Sequence, residues 1–207
     1  MGLVANEGRL HITHFSIVIT ELPALLQRFI CSEPTTLDLE TFAASVIAGG
    51  FTAEDTAGFV RRVCRWGGYA GVAGRVLKNT EMATLRTALA SAAAAAHAGE
   101  VGSSLQRLTK IRGLGLSFAS KHLKFLAPDH AVVLDSVVSS RLGYQLTHPG
   151  YAAFLSDCHA LRAMARQAGV DYPGWGNDRW RVSYPGWGND RWRVSDIEMA
   201  IFEKLRS

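Results

Sequence analysis

Lys110-Ile-Arg-Gly-Leu-Gly-Leu-Ser-Phe-Ala-Ser-Lys121-His-Leu-Lys-Phe-Leu126 is the stretch on which the reading of this chain turns. Ahead of it, Leu105, Leu108 and Ile111 recur at helical spacing, so a helix runs into the segment. Two glycines one residue apart then interrupt the pattern. Glycine admits left-handed backbone angles and close approach by another molecule, so Arg112-Gly113-Leu114-Gly115 predicts a tight hairpin. Leu114 fills the gap between the two helices. Projecting the helix after the hairpin at about 100° per residue gives three arcs. Leu116, Ala119, Leu123, Leu126 and Ala127 form the core face, Ser117, Lys121 and Lys124 a polar face, and Phe118, His122 and Phe125 a third side. The spacing predicts a helix-hairpin-helix over residues 105–127.

The free N–H groups and macrodipole at the start of such a helix favour an anion, and a DNA phosphate is a natural occupant. Downstream, the apolar run Ala131-Val-Val-Leu134 leads to Asp135, positioned to cap the next helix. A carboxylate beside a gripped phosphate backbone can also act chemically. It can stabilise positive charge developing on a deoxyribose as a base departs, or orient an attacking water.

The rest of the chain agrees with a folded, mostly helical protein. It has 207 residues, 48% hydrophobic and 19% charged, enough for one sizeable unit over residues 1–207. The net charge of +4 is unevenly placed. Arg61, Arg62, Arg65, Arg75 and Lys78 fall in an acid-free stretch from Thr56 to Thr80. Lys110, Arg112, Lys121, Lys124 and Arg141 cluster around the hairpin, which suggests a phosphate-facing surface. Cys31, Cys64 and Cys158 are far apart in sequence, with no CxxC pair, so neither a zinc site nor a disulfide framework is expected. The N-terminus lacks the layout of a signal peptide. No apolar run approaches the ~20 residues of a spanning helix. The expected location is the cytoplasm, in association with the nucleoid.

Periodicity predicts helices over residues 21–30, 39–48, 78–98, 135–142, 151–168 and 196–205, with a short extended piece over 11–20. Another helix, capped by Thr52 and Asp55, carries Phe59, Val60 and Val63 into a break at Trp66-Gly67-Gly68-Tyr69. Ser195-Asp-Ile-Glu198 reads as a capping box for the last helix. Tyr172-Pro-Gly-Trp-Gly-Asn-Asp-Arg-Trp-Arg-Val-Ser183 is repeated without change as residues 184–195. Twelve identities in twelve mark a tandem duplication rather than a solenoid repeat, and one copy is expected to bulge out as a loop. An aromatic–arginine repeat that grips nucleic acid is the other reading.

The segment from Leu108 to Leu142 resembles the helix-hairpin-helix DNA glycosylase superfamily. Gly113-Leu-Gly115 matches its hairpin and Val133-Leu-Asp135 its aspartate. In bifunctional members a Schiff-base lysine stands two residues after the second hairpin glycine. Ser117 holds that place here, 18 residues before Asp135, as in the monofunctional members. Lys121, one turn on and on the same face, would supply the amine instead. The Gly-Leu-Ser-Phe-Ala-Ser-Lys wording and the Arg65-Trp-Gly-Gly stretch are similar to the bacterial 8-oxoguanine DNA glycosylase (OGG)-fold group. No cysteine cluster for an iron–sulfur centre follows the aspartate, unlike the endonuclease-III types.

The resemblance implies an all-α fold of two helical lobes with a cleft, and a monomer acting on double-stranded DNA that carries a damaged or modified base. The base would be flipped out and its N-glycosidic bond cut, with 8-oxoguanine the favoured lesion and AP lyase activity an associated step. It implies catalytic roles for Asp135 and Lys121. DNA contacts would come from Arg112, Gly113, Leu114, Gly115, Ser117, Lys124 and Arg65, joined by Arg61. Trp66 and Tyr69 would stack on the flipped base, and neither cofactor nor metal would be needed. Three alternatives stand beside it: a phage-defence glycosylase removing a hypermodified base such as glucosylated cytosine, a DNA-binding module without catalysis, and a helical interaction protein.

Overall fold

A computed structural model describes residues 4–6, 9–12, 15–173 and 192–207. Among them are ten helices and one small sheet. The sheet is an antiparallel meander of β1 (Val4–Asn6), β2 (Arg9–Ile12) and β3 (Phe15–Val18), in register at Leu10 opposite Ile17. The expected extended piece is thus a three-stranded sheet on a mostly helical body. A single 3-10 turn, Ile19–Glu21, leads into α1 (Leu22–Ser32), where Pro23 stands in the first turn and costs no helical hydrogen bond. The chain continues through α2 (Thr35–Ala48), α3 (Ala53–Trp66), α4 (Gly71–Asn79), α5 (Met82–His97), α6 (Val101–Thr109) and α7 (Leu116–Leu126). It ends with α8 (Ser136–Leu142), α9 (His148–Gln167) and α10 (Val194–Arg206).

The architecture is the helix-hairpin-helix, all-α type anticipated from the sequence, with α6 and α7 flanking the hairpin. The enclosure of α7 was not visible in its arcs. This helix packs against α2, α3, α5 and α6 at once. Eight of its eleven residues are buried, Lys121, His122 and Lys124 among them. The core around it contains Phe59, Leu85, Leu89, Leu105, Phe125, Tyr151 and Phe154. Each such side chain contributes roughly 1.5–3 kcal/mol by leaving water. The last helix closes on the first: α10 lies along α1 and α9.

Two sequence expectations need correction. The helix predicted over 78–98 is α5, which starts only at Met82; Lys78 and Asn79 belong to the end of α4. Thr80 takes an extended conformation (φ −128°, ψ 126°), and Asn79 turns its side-chain amide back to the Arg75 carbonyl, 2.7 Å away. β-Branched and short polar residues are poor at continuing a helix, and here they end one. The capping box of the last helix also differs. The cap is Arg193, whose backbone N–H donates to the Asp196 carboxylate (2.9 Å), while Ser195 and Glu198 are buried and make no cap. The duplication, residues 172–195, lies largely outside the described residues. Its first Tyr172 and its last Trp192 are described, and their rings meet edge to face, 5.3 Å between centroids.

Candidate nucleic-acid interface and catalytic pair

The hairpin is built as its glycines require. Gly113 adopts φ +90°, a left-handed angle that an L side chain rarely takes, and the Leu114 N–H donates to the Ile111 carbonyl to close the turn. A Cβ on Gly113 would also stand 3.4 Å from Cβ of Arg75, so α4 backs the hairpin closely. Gly115 is the N-cap of α7. It brings no side chain to cover the first-turn N–H groups, and the space above it is open. Leu114 is buried in the core, so its place is structural and only the glycines and Arg112 of the hairpin face outward.

Arg61, Arg65 and Arg112 are exposed. Tyr69 is 57% exposed, and the Arg75 guanidinium lies over its ring at 5.3 Å. Trp66 departs from the base-stacking expectation. Its indole N–H donates to Thr36 Oγ1 (2.9 Å) and its ring meets Phe125 edge to face at 4.8 Å, which ties it to the interior.

Behind the hairpin, Lys121 and Asp135 form an ion pair, Nζ to Oδ2 2.7 Å. Lys121 is 5% exposed. Its Nζ also approaches Ser117 Oγ (3.3 Å), so the residue at the superfamily's usual lysine position contacts the lysine that is present. Asp135 caps α8 with its other oxygen: Oδ1 accepts from the N–H groups of Val137 (3.0 Å) and Val138 (3.1 Å). One carboxylate is therefore shared between a helix terminus and an amine. Three N–H donors fix its direction.

The relation between the two partners is set by Ser120. Its buried hydroxyl accepts from the Leu134 N–H (3.2 Å) and reaches the Ser117 carbonyl (2.9 Å), pinning the segment before Asp135 to α7. On the opposite side, the α3–α4 connection covers the lysine stem. A Cβ on Gly67 would fall 2.9 Å from both Lys121 Cδ and Phe118 Cε1. Gly67 has an ordinary φ of −73°, so it is glycine for lack of room and not for backbone freedom.

Lys124 corrects a prediction. It is fully buried, with Nζ 2.7 Å from Glu40 Oε1, and cannot meet DNA. Glu40 also takes Arg193 Nη1 (2.7 Å), and Arg193 pairs with Asp196 (2.7 Å), so one network joins α2, α7 and α10. Burial alone would raise the Glu40 carboxyl; Arg193 and Lys124 overcome it and hold the group at about 2. His122, on the third side of α7, lies in the core against Phe59. Burial lowers it to about 4, and as a neutral ring its Nδ1 donates to the Phe118 carbonyl at 2.6 Å.

A family model described as "Putative 8-oxoguanine DNA glycosylase OGG-like protein" matches residues 37–202. The chain belongs to this OGG-like family. The match takes in the α3–α4 connection, the hairpin, Lys121, Asp135 and Glu198, so the whole candidate site falls inside the family's span. Neither the curated proteins nor the solved structures yield a match. Among the described residues, no group of three or more His, Cys, Asp and Glu is placed to hold a metal ion. No described helix of this OGG-like chain is long and apolar enough to cross a membrane.

The sequence did not point to Gly67, Ser120, Glu40 or Arg193 as parts of this arrangement. The only signals were indirect: the glycine pair after Trp66, and an arginine at the end of the duplicated dodecamer.

Proposed function

We propose that this protein is a DNA glycosylase that removes an oxidised purine, 8-oxoguanine in the first place, and that Lys121 is its nucleophile. The observation that carries this reading is the shielded Lys121–Asp135 pair one turn behind a glycine hairpin whose helix N-terminus is uncovered. Membership of the OGG-like family supports both the activity and the choice of base. The hairpin N–H groups, with Arg112 and Arg65, hold the phosphates flanking the lesion. Tyr69, exposed and braced by Arg75, stacks against bases at the opening left by the flipped nucleotide.

The chemistry follows from the pair. At rest Lys121 is paired with the Asp135 carboxylate, and entry of the sugar lets the ammonium proton pass to Asp135 Oδ2. The neutral amine attacks C1′, and the C1′–N bond breaks with its electron pair going to the base, which takes up a proton. Opening of the sugar ring then leaves a Schiff base between Lys121 and C1′. From this intermediate the strand is cut by β-elimination, the associated AP lyase step. Asp135 gives the proton it has taken to the departing base, and the restored carboxylate then relays the second amine proton to the sugar ring oxygen as the ring opens, ending negative beside the cationic Schiff base.

The test is product analysis by mass spectrometry on duplexes carrying 8-oxoguanine, other damaged bases or glucosylated cytosine, with and without borohydride. Release of 8-oxoguanine and a borohydride-trapped covalent complex are expected. Asp135→Asn should bind the same DNA yet release base about 10²–10⁴-fold more slowly. Undiminished release by that variant removes Asp135 from the mechanism, and release without trapping removes Lys121 as nucleophile.

A further inference from the structure

Glu198 is the charged side chain near the site that the mechanism above leaves unused. It sits in the second turn of α10, 4% exposed, with its Oε2 lacking any hydrogen-bond partner. It faces Lys121 and Lys124 from α7 and Asp135 at the start of α8. From α9 it is faced by Tyr151 and Cys158. On its own helix the neighbouring acid, Asp196, is taken up by Arg193, and Lys124 is taken up by Glu40. The nearby cations are therefore engaged with other carboxylates, and Glu198 stands behind the catalytic pair with an unsatisfied oxygen.

We propose that Glu198 is a positioning residue of this site, a carboxyl group that sets from behind the charge felt by the Lys121–Asp135 pair without touching DNA. This inference rests on the glycosylase reading given above. A buried carboxyl kept only for stability would have both oxygens engaged, as Glu40 has; Glu198 accepts from the Val133 N–H, two residues before Asp135, and leaves Oε2 without a partner. Burial instead lifts Glu198 to about 8, so it is neutral at lower pH. While it is neutral, Asp135 is the one carboxylate charge directed at Lys121, and the lysine proton can be passed on. Above about pH 8 a second negative charge arrives on the same side, strengthens the hold on the ammonium and slows amine attack. Glu198 thus sets the alkaline edge of the covalent step, and burying it leaves that edge within reach of ordinary conditions.

The experiment compares the full-length wild type with Glu198→Gln, which is close in shape and neutral at every pH. The ratio of the variant's borohydride-trapping rate to that of wild type should rise about tenfold between pH 6.5 and pH 9. Parallel profiles would overturn the proposal. A second readout needs no excision: the 13Cε resonance of Lys121 should show an inflection near pH 8 in wild type that is missing in Glu198→Gln. An inflection retained in the variant, or absent from both, also overturns it. Folding is checked by melting. A carboxyl raised in the folded state costs stability increasingly from its unfolded value near 4.5 up to 8, so the variant should gain on wild type across that window. If wild type neither releases base nor traps, the glycosylase reading fails, and the Lys121 resonance still decides the role of Glu198.

Discussion

Helix α7 carries two lysines three residues apart, each 2.7 Å from a carboxylate and each withdrawn from solvent, yet they serve opposite ends. Lys124 points between α2 and α10. Its partner Glu40 is clamped a second time by Arg193, and aromatic rings of Phe125 and Trp66 flank its amine at 4.1 and 5.7 Å. Lys121 points to the edge of the hairpin. Its partner belongs to a short segment ahead of α8, and its other contacts include a hydroxyl, the Phe118 ring at 5.4 Å and a gap kept by a glycine. A buried lysine–carboxylate pair is thus not itself a sign of chemistry. A pair whose carboxylate is clamped by a second cation is an anchor, whereas a pair whose carboxylate is shared only with a helix terminus, next to an uncovered helix N-terminus, is the candidate for exchanging its partner for a substrate.

Removing each lysine separates the two roles. Lys121→Gln should lower base release by about 10³-fold and abolish trapping, with little change in unfolding free energy. Lys124→Met should do the reverse. It leaves Glu40 buried with less compensation, and urea unfolding should show a loss of about 3 kcal/mol. If Lys124→Met instead kept its stability and lost DNA affinity, the anchor assignment would be wrong. Acid should expose the anchor too. Because Glu40 is held at about 2, below its unfolded value near 4.5, its stabilising contribution is present above 4.5 and is lost as pH falls towards 2. Glu40→Gln should lower Tm at neutral pH and flatten its decline over that interval.

The Lys121–Asp135 pair is sharpened by Gly67→Ala. The added methyl group must displace the lysine stem or Phe118, so kcat should fall about tenfold while Tm moves little. An unchanged kcat would mean that Lys121 has another way to lie. The smallest effect is expected from deleting one dodecamer. Tyr172 and Trp192 meet although they are 20 residues apart, and in the shortened chain the equivalent pair would be 8 apart. Loop closure then favours the shorter chain by about 0.8 kcal/mol. Failure of that chain to fold would show the extra copy to be structural.

How far the sequence could be read follows from the range of the forces involved. The hairpin, α7 and the capping role of Asp135 are local: glycine conformation, helical spacing and a carboxylate ahead of a helix are written in neighbouring residues. The two faces of α7 were legible only as polar or apolar. Ser117, Lys121 and Lys124 share an arc, and nothing adjacent says that Glu40, 84 residues away, turns Lys124 inward. Glu198 was mistaken for a cap residue for the same reason. Ser-x-x-Glu is a local signal, and the packing of α10 against α8 and α9 that buries it is not. Gly67 and Ser120 act through contacts across helices, so single-residue spacing could not reveal them.

The Tyr172–Trp192 contact joins the first residue of one repeat to the ninth residue of the next. A recombination event that excises one whole repeat unit from the gene would therefore leave an identical tyrosine and an identical tryptophan at the two docking points. At the level of inheritance the duplication is reversible without a scar, and lineages with one or two copies should be able to interconvert under the same selection on the rest of the fold.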